Sequence, residues 1–250
     1  MRNYQNTCLL SVLFLLFISI TSWAQPESRL SSGFDVGAGW KDKAWIVNAQ
    51  YHQYLKVDRR GLFQVGWGGS ASHFRGKELD FTTAPSQLTK GKTGLSALNA
   101  PLILRQIDTL QMRAGITSFN FNVSAQISLF ERLDIGANVD ILGFSLGNRR
   151  AGYYLGSRGY NKTDSLNIHQ TYQQARPARL NLLWLGDNKR GNLNTEIYAR
   201  IHFTQRIGLK ISYLFTTNEY RTDQPLVDDN RRFRFRSQMI FVGLTFPIDS

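Results

Sequence analysis

Four histidines, His52, His73, His169 and His202, are the side chains best suited to acid–base or metal chemistry at neutral pH. None stands at metal-ligand spacing from another, and none falls in a zinc-protease pattern. His73 lies beside Ser72, but neighbours on a strand point to opposite faces, so that serine is not its nucleophile. Gly91-Lys92-Thr93 has the ending of a phosphate-binding loop, yet that motif needs glycine five residues earlier, where Ser86 stands. The expectation is a protein without catalytic residues, metal or cofactor.

The charges form two sets. Asp35, Asp134, Asp140, Glu196, Arg200, Lys210, Arg234 and Arg236 alternate with apolar residues. In an extended chain all eight are expected on the polar face. If that face encloses a narrow space they must pair, because an unpaired buried charge costs several kcal/mol. The second set lies between 148 and 192. Arg149, Arg150, Arg158, Lys162, Arg176, Arg179, Lys189 and Arg190 stand against Asp164 and Asp187, a local net charge of +6. Tyr153, Tyr154, Tyr160 and Tyr172 are interleaved with them. Arginine pairs bidentately with phosphate, so phosphorylated partners are expected here.

The elements that position these groups are written in period two. From Thr117 to Leu129 the odd positions read Thr, Phe, Phe, Val, Ala, Ile, Leu, and the even ones read Ser, Asn, Asn, Ser, Gln, Ser. One greasy and one polar face make a strand between two media. The pattern recurs to give eight strands, at about 32–41, 44–57, 62–75, 115–130, 133–147, 193–204, 207–220 and 232–246. A soluble sandwich also alternates, with its apolar side inward. Three features favour an up-and-down transmembrane barrel with its apolar side outward. The strands are long enough for a tilted crossing. Trp40, Trp45, Tyr51, Trp67 and Phe246 suit an aromatic girdle. Short connections (58–61, 131–132, 205–206) alternate with long ones (77–113, 148–191, 221–231). The long ones are expected outside the cell, with Lys41-Asp42-Lys43 as one tight external turn. A ten-stranded barrel is the alternative, using Arg179–Leu185 and a turn at Gly186–Gly191.

Composition agrees. The chain of 250 residues is 42% hydrophobic and 12% aromatic, too apolar for disorder. One cysteine excludes a disulfide scaffold and a thiolate zinc site. Lys+Arg 30 against Asp+Glu 18 gives +12, which favours acidic partners. Residues 1–24 read as a secretory signal peptide, with Arg2, an apolar run from Cys8 to Ile20 and a small-x-small site at Ser22-Trp23-Ala24. The mature domain, 25–250, would then begin at Gln25.

The closing stretch Gln238–Phe246 resembles the terminal strand of outer-membrane proteins, followed here by four more residues. Asn181–Asn188, Leu193–Glu196 and Asn218-Glu219-Tyr220 are similar to uncharacterised outer-membrane β-barrel proteins of Gram-negative bacteria. The resemblance implies a small eight-stranded barrel in the outer membrane, inserted by the barrel machinery through its last strand. It implies contact with outer-membrane lipid and lipopolysaccharide. A monomer without nucleic-acid partners is expected. Three functions fit: a structural or surface-interaction barrel, a narrow channel for small polar solutes, or, least favoured, a lipid-modifying hydrolase.

Overall fold

The computed structural model describes residues 29–84, 88, 107–129, 132–157, 164–183 and 189–249. The signal segment, Gly91-Lys92-Thr93, Arg158 and Tyr160 lie outside them. Eleven antiparallel strands form one sheet: β1 (Leu30–Lys41), β2 (Ala44–Lys56), β3 (Phe63–Thr83), β4 (Thr109–Leu129), β5 (Leu133–Leu146), β6 (Arg150–Gly156), β7 (Thr171–Pro177), β8 (Leu180–Leu182), β9 (Leu193–His202), β10 (Gly208–Thr222) and β11 (Arg232–Asp249).

Eight of these close a ring. β1 pairs with β2, then β3, β4, β5, β9, β10 and β11 follow in turn, and β11 pairs back onto β1 with Phe34 opposite Phe246. Closure leaves no free edge. Both chain ends of the ring lie at one rim with the short turns at 57–62 and 203–207 and the close approach of Leu129 to Arg132. In the first of these, Gly61 has φ +67°. There the Asp58 carboxylate accepts the N–H groups of Phe63 (2.8 Å) and Arg60 (3.2 Å), which holds its pKa below the usual carboxylate value.

A second, smaller ring stands on the first. β1 and β2 stop at the Lys41–Ala44 turn, where Asp42 takes φ +47°. β3 and β11 run past that tip and pair directly, Thr83 with Phe233 and Thr82 with Arg234. On the far side β6 continues the upward path of β5 along β4, and β7 descends between β6 and β10. The upper ring is therefore six-stranded: β3, β4, β6, β7, β10, β11. Of the stretch that suggested ten strands, residues 184–188 lie outside the described ones, and Leu180–Leu182 form β8, which pairs with the upper part of β5 above β9 rather than adding a strand to the lower ring.

The interior changes character along one row of strand partners. Gly39, Ile46, Phe74 and Ile116 stand side by side across β1 to β4, with Phe241 on the other flank of Gly39. Below the row the inward residues are polar: Asn48, Ser72, Ser118, Gln50, Ser70, Asn120. Above it they are apolar: Leu79, Phe81, Met112, Leu110, Phe233. The outside does the reverse. Val36, Val47, Val65, Phe121, Val123, Ile197, Ile211 and Val242 are exposed below, whereas Arg75, Lys77, Arg113, Arg221 and Arg236 are exposed above. About ten tilted residues per strand at ~3.3 Å rise give an apolar belt roughly 25 Å tall, a bilayer core. The lower ring is a transmembrane barrel, and the upper ring is a water-soluble tower. Trp40 and Trp45, strand partners, lie at the upper edge of the belt, while Tyr51, Trp67 and Phe246 lie lower. Among the described residues no helix is long and apolar enough to cross a membrane.

Two positions on the outer face of β4 test this boundary. Val123→Arg should cost about 2–4 kcal/mol of folding stability in lipid, and Thr117→Arg about 0–1, because the penalty falls with distance from mid-depth. Reversible unfolding in vesicles measures both; equal costs would contradict the placement of the belt.

Candidate functional site

The lower lumen holds one ionic cluster. Lys210 and Arg200 are strand partners on β10 and β9, and β1 brings Asp35 against both. Arg200 donates to Asp35 Oδ2 from Nη2 (2.7 Å) and Nε (3.3 Å), and Lys210 Nζ donates to the same oxygen at 3.0 Å. Lys210 Nζ also meets Glu196 Oε1 at 2.5 Å, and Ser212 Oγ donates to Glu196 Oε2 at 3.0 Å. The free side of Arg200 bonds Gln126 Oε1 (2.9 Å) and Tyr54 Oη (3.2 Å), and its guanidinium carbon lies 4.2 Å from the Tyr198 ring centre. Two acids and two bases cancel, and all four side chains are buried. Of the predicted lumen set, these four come together. Asp140 is buried separately and held by Asn120 Nδ2 (2.7 Å), the Asn194 N–H (2.9 Å) and Ser70; among the described residues it has no cationic partner. Neutral donors satisfy it instead. Asp134 sits near the lower mouth, where His202 Nε2 (2.8 Å) and Ser128 Oγ (2.6 Å) hold it beside a cavity of about 550 Å³.

The tower is closed by hydrocarbon. Phe81, Leu110, Tyr154, Tyr220 and Phe233 are fully buried in it. Phe81 meets Tyr220 edge-on at 5.3 Å and Phe235 at 5.6 Å. Burying each such side chain stabilises by about 1.5–3 kcal/mol. Near its top the Tyr154 hydroxyl donates to Asp108 (2.8 Å), as does Asn230 Nδ2 (2.8 Å). Burial, then the adjacent Asp108 charge, pushes the Tyr154 hydroxyl well above its ordinary pKa, so it remains a donor.

Arg234 and Arg236 are not in the lumen. Alternation along β11 turns Phe233 and Phe235 into the apolar tower, and Arg236 is exposed outside. The expectation that placed both arginines on the lumen face is thereby corrected. Arg234 is buried on the outer wall, where Glu219 Oε2 accepts from it at 3.1 Å and Glu219 also receives Arg232 Nε at 2.7 Å. The main-chain oxygen of Lys189 covers this pair by accepting from both arginines.

Beside it is a cavity of about 530 Å³ on the outer wall of the tower. Arg176, Arg179, Arg190, Arg221, Arg231 and Arg232 line it, against Glu219 and Asp229. Glu219 is already engaged. Arg176 has only a long contact to Asp223 (3.9 Å), which Arg149 approaches more closely (3.0 Å). Arg179, Arg190 and Arg221 carry no ion pair among the described residues. The fold thus collects Arg176, Arg179 and Arg190 from the basic loop. Lys189 contributes through its backbone, Arg149 is tied to Asp223, and Arg150 faces a different side of the tower. Arg221, Arg231 and Arg232 were missed by sequence reasoning. For Arg221 the signal was present, since it shares the outward parity of Tyr213 and Phe215 just above the apolar run. Leu180 lines the cavity and is the strand partner of Phe144 in the exposed belt, which sets the site at the membrane's upper surface.

No family model matches the sequence, and no curated protein matches it. Among solved structures, the crystal structure of Neisserial surface protein A is similar at 7% identity, with 89% of this chain and 99% of that one covered and a TM-score of 0.40. The attachment invasion locus protein of Yersinia pestis gives 8%, 88%, 100% and 0.37. A Pseudomonas aeruginosa FadL homologue gives 13%, 90%, 76% and 0.27. Overlaps of this size carry no functional information.

The lumen cluster makes a quantitative prediction. Asp35→Ala alone should destabilise by about 3–5 kcal/mol, because two cations lose their shared acceptor in a dry space. Asp35→Asn combined with Arg200→Met should cost less than the sum of the single changes. Urea unfolding in lipid measures the coupling; strict additivity would show that the four groups do not act as one unit.

Proposed function

We propose that this protein is an outer-membrane barrel that conducts nothing and binds the phosphates of outer-leaflet lipopolysaccharide on the wall of its extracellular tower. The observation that carries the reading is the cavity at the upper edge of the apolar belt, where Arg179, Arg190 and Arg221 have no ion pair among the described residues. Arginines so placed are positioned for lipid head-group phosphates, which accept paired N–H donors. The closed interior supports the same reading, because an ionic plug below an aromatic plug leaves the outer wall as the working surface. The rim with both chain ends and the short turns is assigned to the periplasm, and the tower to the outside. On this reading residues 1–24 are removed on export, β11 is the strand that the insertion machinery engages, and the barrel acts as a monomer by binding rather than by catalysis. A solute channel is disfavoured by the buried Arg200, Lys210, Phe81 and Phe233, which fill the path at two levels.

Each exposed arginine–phosphate contact contributes up to about 1 kcal/mol, and salt screens it. Replacing Arg179, Arg190 and Arg221 by Gln together should therefore lower lipopolysaccharide affinity about ten- to a hundredfold. Wild-type affinity should fall as salt rises, and the variant should keep its heat-modifiable migration as a folded barrel. Unchanged binding at low salt would refute the cavity as the site.

A further inference from the structure

The arginine cavity has a counterpart on the other flank of β5. A groove of about 430 Å³ is lined by His73, Arg75, Gly115, Thr117, Leu146 and Arg150, with Asn148 beside them. Its floor is Gly115, strand partner of Arg75. Arg150 Nη2 lies 3.2 Å from the position that a Cβ on Gly115 would occupy, so the bare backbone lets the guanidinium settle against the sheet. Neither Arg75 nor Arg150 has an ion-pair partner among the described residues, and no acidic residue lines the groove. His73 is fixed by Thr117 Oγ1 (2.9 Å) and by the Trp45 ring (5.8 Å) at the top of the apolar belt.

The two sites are linked by β5. On one side Leu146 pairs with Thr117; on the other the Ser145 N–H donates to the Arg179 carbonyl (2.8 Å), and Phe144 pairs with Leu180. The Arg150 guanidinium over Gly115 of β4 and Arg179 next to β8 stand two strand spacings apart, about 10 Å, with β5 between them; Arg75, on β3, lies one spacing further out. Between and below them lies exposed hydrocarbon. Leu142, Phe144, Leu146 and Leu180 are each about half exposed (48, 52, 56 and 51%), and Phe144 stacks on Phe119 at 5.2 Å.

We infer that the two sites form one receptor for a lipid carrying two phosphates. Arg179, Arg190 and Arg221 take one phosphate, Arg75 and Arg150 take the other, and the acyl chains lie on the Leu142–Phe144–Leu146–Leu180 surface. This rests on the proposed binding at the arginine cavity and adds the number and spacing of the phosphates. A lipid with one phosphate fills only half of the site. Free inorganic phosphate lacks the chains and gains nothing from the apolar surface.

The test is titration of the full-length protein, in nanodiscs of zwitterionic phosphatidylcholine, with diphosphoryl lipid A, monophosphoryl lipid A and inorganic phosphate. Wild type should bind the diphosphoryl form at least tenfold more tightly than the monophosphoryl form, and phosphate far more weakly than either. The double substitution Arg75→Gln, Arg150→Gln should abolish the preference while leaving monophosphoryl affinity within twofold. Arg150→Lys, which keeps the charge but loses the bidentate fork, should retain part of it. If the double variant keeps the full preference, or wild type shows none while the cavity substitutions still weaken binding, the two-phosphate receptor is overturned and the cavity reading stands. If neither lipid binds above the phosphatidylcholine background, both are overturned.

Discussion

The architecture depends on where the β1–β2 hairpin stops. A closed sheet has no free edge, and a strand pair that ends early leaves its two neighbours with unpaired backbone. β1 and β2 end at Lys41–Ala44, and β3 and β11 continue until Thr82 and Thr83 meet Arg234 and Phe233. The ring above the tip has six strands rather than eight, so its bore is narrower. Phe81, Leu110, Tyr154, Tyr220 and Phe233 are packed inside it. The Lys43–Glu78 ion pair (3.0 Å) ties the tip to β3, and Lys43, its nearest charge and hydrogen-bond donor, holds the Glu78 carboxyl below its ordinary pKa; being exposed, the pair adds little to stability.

The same strands therefore serve two solvents. Below the Gly39–Ile46–Phe74–Ile116 row the outside meets lipid, so the inside carries the polar residues and must satisfy them internally. Asp35, Glu196, Arg200 and Lys210 do so as a neutral set, and Asp140 does so with amide and hydroxyl donors. Above the row the outside meets water, and the polarity inverts. Arginines then have a place outside, and their density next to the apolar belt is what gives the tower a surface suited to phosphate.

Much of this was legible in the sequence. The alternation from Thr117 to Leu129 can only be a strand between unlike media, and the eight ring strands lie close to their expected places. Asp35, Glu196, Arg200 and Lys210 were expected on one face, and the closed ring brings them into contact. The upper ring was not legible in the same way. Leu110, Met112, Ala114 and Ile116 continue the inward parity of Ser118 and Asn120, but alternation gives faces and does not say which face is wet. Arg234 and Arg236 were expected inward for this reason. The β6–β7 pair is short and rich in Gln, Gly and Arg, and only its neighbours β4 and β10 make it part of a barrel. The arginine cavity joins β7, β8, β10 and the 223–231 connection, segments far apart in the chain, so no local motif announces it.

The closure of β3 onto β11 above the hairpin carries both the seal and the outer wall, and one measurement addresses it directly. Thr82 and Arg234 are strand partners, at a separation compatible with a disulfide. With cysteines at both positions, the protein folded in its membrane should cross-link under mild oxidation at high yield. Cysteines at Thr82 and Arg221, on strands that do not pair with each other, should not. If the Thr82–Arg234 pair stays reduced and both thiols react freely with a membrane-impermeant maleimide, β3 and β11 do not meet, and the six-stranded tower is contradicted.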